Sequence, residues 1–294
     1  MLVLVAAAGA ALLLPTAAAA KKKHRKVTKL GPVVTVTATG PPATGTGAVS
    51  SAAASCPSGT RVIGGGFSLQ GSPQVVAVFE SYRSAPGVWT ASLIAANSSS
   101  TGVPTSIAYC RRVNRPITDV TASTTIAGML VSKSLSASCP RGSRLVGGGF
   151  QSTHLPASRS IALPMSNMST GPSTWSLTGL SNSPSSLTMT VHAYCLAGIR
   201  APTVVSAQNT PILAGGKQAT VTTSSCPVTR KKKGKRKAPQ QLLSAGGFST
   251  PVRTTGQIGL FISSLAGPSG WASSIFNATS TAGPLSTTSQ GICV

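Results

Sequence analysis

Polar and apolar positions along this chain alternate with a period of two, not with the three-to-four spacing of a helix face. In "LTMTVHAYC", Leu187, Met189, Val191, Ala193 and Cys195 share one face, and Thr188, Thr190, His192 and Tyr194 share the other. "VSKSLSASC" puts Val131, Leu135, Ala137 and Cys139 opposite a row of serines, and "WSL" turns Trp175 and Leu177 inward. Such stretches predict half-buried antiparallel strands. The 31 Gly and 21 Pro, with abundant Ser, Thr and Val, favour strands and turns over long helices.

The pattern is written three times. "SCPSGTRVIGGGF" and "SCPRGSRLVGGGF" are two copies, and "SCPVTR" resuming at "SAGGF" is a third. The first cysteines are Cys56, Cys139 and Cys226, and the second are Cys110, Cys195 and Cys293. Between them lie Gly64, Gly65, Gly66 and Phe67, then Gly147, Gly148, Gly149 and Phe150, then Gly246, Gly247 and Phe248. Trp89, Trp175 and Trp271 each follow a proline by three residues. The predicted fold is all-β: three tandem, disulfide-closed, antiparallel β-sandwich-like repeats of about six short strands each. Their predicted limits are 33–113, 114–198 and 199–294. The repeated order of the cysteines predicts the bonds Cys56–Cys110, Cys139–Cys195 and Cys226–Cys293. Beads on a string and closure around a pseudo-threefold axis both satisfy this pattern.

Cys-Pro-x-Gly ends one strand in a tight turn, and the glycine triplet marks a strand where no side chain can stand. The tryptophan, recurring in every unit, is expected to lie over those glycines. At these residues the chain resembles a loosely defined group of secreted, actinobacterial-type β-rich proteins. These share Cys-Pro-x-Gly-x4-Gly-Gly-Gly, a Trp strand and a final Ala-Tyr-Cys. The resemblance covers nearly all of residues 33–294 and implies an extracellular β-rich module. The third copy departs from it at Ile292, where the others have Tyr109 and Tyr194.

Charge sharpens the picture. There are 25 Lys and Arg against two acids, Glu80 and Asp119, for a net charge of +23. Six basic residues lie between Lys21 and Lys29, and seven more are Arg230, Lys231, Lys232, Lys233, Lys235, Arg236 and Lys237. The second cluster belongs to an insertion (230–240) that the first two units lack, which predicts a protruding loop able to contact polyanions. Residues 1–20 form an apolar run ending in small residues and read as a secretory signal cut after Ala20, leaving a basic linker over 21–32. A membrane anchor is the rival reading, but so alanine-rich a run makes a marginal span. Secretion, or display at the cell surface, also suits three cysteine pairs.

Catalytic signals are weak. Glu80 has Met165 and Ile262 as apparent counterparts, so no acid recurs between units. No carboxylate pair suits a glycosidase, and no G-x-S-x-G accompanies Asp119 and the histidines. The glycines precede a turn and a strand, which excludes a phosphate loop opening a helix. No Cys-x-x-Cys suggests a metal, and no cofactor is expected. The expectation is a non-enzymatic secreted or surface structural or binding protein, adhering to anionic envelope polymer through its basic segments. A carbohydrate-binding or adhesin-like module using exposed Tyr109, Tyr194 and the Trp rings is the alternative, and a hydrolase the remote one. Nucleic acid is disfavoured because no aromatics interleave the basic runs.

Overall fold

The computed structural model describes residues 28–71, 76–98, 101–158, 160–227, 243–251, 258–267 and 270–294. The predicted signal segment, residues 21–27 of the basic linker and the inserted loop 230–240 lie outside these residues. Each unit contributes six principal strands. Unit one has β1 (Leu30–Thr39), β2 (Val49–Ser55), β3 (Arg61–Gly71), β4 (Val76–Ala85), β5 (Val88–Ala95) and β6 (Thr101–Val113). Unit two has β7 (Thr118–Ile126), β8 (Ser132–Ser138), β9 (Ser143–Ser152), β10 (Ser160–Ser169), β11 (Thr174–Ser181) and β12 (Leu187–Ala197). Unit three has β13 (Thr203–Asn209), β14 (Gln218–Thr222), β15 (Leu243–Ser249), β16 (Gly259–Ala266), β17 (Trp271–Asn277) and β18 (Thr287–Cys293). β1 starts ahead of residue 33, inside the stretch read as linker.

The units are not beads. Each splits into two three-stranded halves, and each half completes a sheet with a half of a different unit. Along their six principal strands the three large sheets run β1-β6-β3-β16-β17-β14, β2-β5-β4-β9-β12-β7 and β13-β18-β15-β10-β11-β8, the first and third each adding one two-residue strand. A glycine strand (β3, β9 or β15) thus always borders the strand before the tryptophan in the preceding unit, and unit three precedes unit one. The ring closes around a pseudo-threefold axis.

Where the glycine strands meet, Phe67, Phe150 and Phe248 form a triangle of edge-to-face rings with centroids 6.2, 6.0 and 5.9 Å apart. Edge-to-face geometry brings each ring's positive rim to a neighbour's negative face, adding to the area that three buried rings remove from water. Each position of the glycine triplet has its own neighbour. A Cβ on Gly64 or Gly147 would meet Ala245 across the axis at 2.6 and 3.0 Å. A Cβ on Gly65, Gly148 or Gly246 would lie 2.1–2.2 Å from the indole of Trp89, Trp175 or Trp271 in its own unit. A Cβ on Gly66, Gly149 or Gly247 would strike the carbonyl of Ser264, Ser81 or Asn167 in the neighbouring unit. The motif therefore packs one unit internally and docks it to two others.

The disulfides Cys56–Cys110, Cys139–Cys195 and Cys226–Cys293 each stay within one unit. With partners 54, 56 and 67 residues apart in sequence, each removes about 4 kcal/mol of unfolded-chain entropy in the loop-closure account.

Candidate functional site

The aromatic residues come first, because an exposed ring is what a sugar-binding platform needs. All three tryptophans are buried, at 0–1% exposure, as are Tyr109 (3%) and Tyr194 (0%). Each indole N–H bonds a side chain of the strand before it: Trp89 to Ser81 (3.0 Å), Trp175 to Asn167 (2.7 Å) and Trp271 to Ser264 (2.8 Å). The aromatic platform is absent because these rings fill the units.

The tyrosines act at the seams between units. The backbone N–H of Ala266 donates to the Tyr109 hydroxyl (2.6 Å), and that of Arg83 to the Tyr194 hydroxyl (2.7 Å). Both acceptors lie in a different unit from their donors. At the third seam the N–H of Ser169 donates to Oε1 of Gln290 (2.7 Å), whose Nε2 returns a bond to the Ser169 carbonyl (3.0 Å). Gln290, two residues before Ile292, does for unit three what tyrosine does for the others. Burial holds both phenols well above the usual tyrosine range, for want of solvent to support a phenolate.

Alternation predicts a polar face for His192 and Tyr194, yet both are buried. Unit one covers them: Tyr82 stacks on His192 at 5.1 Å, and the Arg83 guanidinium lies 4.8 Å over the Tyr194 ring. Burial also lowers the Arg83 pKa, although the negative charge of Asp119 opposes that shift. Nδ1 of His192 sits 3.3 Å from Asp119, and its buried Nε2 has no hydrogen-bond partner. The pair thus lacks the hydroxyl a nucleophilic triad requires.

Glu80 also differs from its sequence reading. A bulge in every strand before the tryptophan, at Phe79, Met165 and Ile262, shifts the register by one. The structural counterparts of Glu80 are therefore Ser166 and Ser263, not Met165 and Ile262. Among the described residues no three His, Cys, Asp or Glu gather as a metal set, and no helix is long and apolar enough to cross a membrane.

What the fold does collect is positive charge. The strand registers put residues 28–30, 55–61, 83–88, 111–118, 138–144, 195–203, 222–227 and 291–294 at one end of the prism. Lys29, Arg61, Arg112, Arg141, Arg144 and Arg200 are exposed there, with Arg115 half-buried. Arg83 and Arg111 lie beneath; burial lowers the Arg111 pKa too, and its Nε donates to the Gly31 carbonyl at 2.7 Å. The other end has only Lys133 and Lys217 among the described cations. Both basic tracts join the fold at the cationic end. The first precedes Thr28, whose N–H donates to Gly198 (2.9 Å), and residues 228–242 connect Pro227 with Leu243. Because the sheets hold all three units in one orientation, charges from separate turns face the same way. No residue near Lys21 or Arg230 could have revealed this convergence, since it depends on how the units close.

The fold and this surface define a β-prism of three units, each closed by its own disulfide, with one cationic end. The chain matches no model of a known protein family and no curated protein.

Proposed function

We propose that this protein is a non-enzymatic structural and binding protein of an oxidising, extracytoplasmic compartment, which holds anionic polymer against its cationic end. What carries the reading is the gathering of six exposed cations and the attachment points of both basic tracts at one end of the prism. The end keeps a positive surplus: Asp119, beside His192 and acting on Arg83, is the one acid near it, and Glu80, held by Ser92 and Gln151, lies towards the opposite end. Three disulfides suit such a compartment. Like charges this close favour a polyanion, whose many counterions are released on binding, over a single anion.

Deleting Lys231–Lys237 tests it. Retention on an anionic wall-type polymer such as polyglycerol phosphate should fall, and raising salt on the intact protein should imitate that loss. The melting temperature should hold, because loop length enters stability only logarithmically. Retention that survives both deletion and high salt overturns the reading.

A further inference from the structure

The three seams between units serve as internal controls for one another, and one of them differs. At the β3–β16 seam the facing outward residues are Ser68 and Ser263, and at β15–β10 they are Ser249 and Ser166. At β9–β4 they are Gln151 and Glu80. Ser92 donates to Oε1 of Glu80 (2.5 Å) and Gln151 Nε2 to Oε2 (3.3 Å). Each oxygen thus keeps a further lone pair. A groove of about 430 Å³ opens over this pair. Ser51 stands on one side, Thr188 and Thr190 on the other, and Phe79 and His154 at one end with ring centroids 4.6 Å apart. Phe79 reaches that end because it is the bulge residue of β4, and it packs on Ile94 and Ile161.

Charge narrows the occupant. The Glu80 carboxylate repels anions from the groove floor, and, already bonded by Ser92 and Gln151, it has no second acid in the lining with which to hold a cation. The walls are hydroxyls and an amide that both donate and accept, and one end is closed by the half-buried His154 ring with Phe79 buried behind it. That combination matches a neutral ring bearing hydroxyls on its rim and C–H groups on its faces. The geometry points to a binding site for a neutral pyranose residue at the unit one–unit two seam, with Glu80 and Gln151 taking its hydroxyls. It is separate from the buried tryptophans and from the cationic end.

Glu80→Ser is the informative variant, since serine occupies the corresponding place at both other seams. The probes are cellobiose and N,N′-diacetylchitobiose, followed by NMR at the His154 imidazole and the Gln151 side-chain amide. At least one should shift both signals saturably in the intact protein. Glu80→Ser should weaken that binding about tenfold or more, as expected for hydrogen bonds to a charged acceptor. Deleting Lys231–Lys237 should leave it unchanged. If neither sugar shifts these signals, or if a folded Glu80→Ser protein binds as tightly as the intact one, the site is refuted.

Discussion

Gly148 concentrates the problem the repeat solves. The indole of Trp175 occupies the space where a Cβ would stand, at 2.2 Å, and the ring cannot retreat because its N–H is held by Asn167. Gly148→Ala should therefore cost about 3 kcal/mol in a denaturant titration, the upper range for forcing a group into a packed core. Gly87→Ala, with nothing within 4 Å of its added methyl, should stay within about 0.5 kcal/mol. The seam tyrosines give a second test. Their folded-state pKa values are raised, so their contribution is complete below about pH 10, where unfolded tyrosines are still neutral. It is lost as pH rises through the higher folded values. Phenolate absorbance of Tyr109 and Tyr194 should thus appear only together with alkaline unfolding. A smooth titration of all three tyrosines in the folded protein would show that the two hydroxyls are not buried at the seams.

Paired bulges give the strands their curvature. Every glycine strand has a register shift before its triplet, at Val62/Gly64, Leu145/Gly147 and Leu243/Ala245. Every strand before the tryptophan has another, at Val78/Glu80, Pro164/Ser166 and Phe261/Ser263. A bulge bends its strand and sharpens the local twist, which lets a sheet begun in one unit end in another. Away from the seams, hydroxyl pairs tie the outer strands, as between Ser134 and Thr178 (2.7 Å) and between Ser136 and Ser176 (2.6 Å).

Sharing every sheet makes the whole prism the cooperative unit. A single repeat taken alone would expose Phe150 and two unpaired strand edges, and an unpaired edge invites association. Residues 114–198 expressed alone should not give a folded monomer; sedimentation and circular dichroism should find either an unfolded chain or a self-assembled oligomer. A folded monomer would mean that the seams contribute little. The intact chain should melt in one transition, not three, by calorimetry.

The period-two alternation, the recurring cysteines and the spacing of glycine to tryptophan are local, and each was legible in the residues. They report which face of a strand is covered and which partners recur within about eighty residues. They do not report what does the covering. His192 and Tyr194 read as a polar face because alternation sees only their own strand, while unit one supplies the cover. Glu80 corresponds to Ser166 and Ser263 because each pairs with the residue three after its tryptophan, a register set by strand pairing and not by spacing along the chain. Three near-identical units also make pairing with self and pairing with a neighbour look alike in sequence, since the same side chains serve both. Only the closed ring decides between them: there Phe67, Phe150 and Phe248 can bury one another, and there the scattered arginines come to share one end.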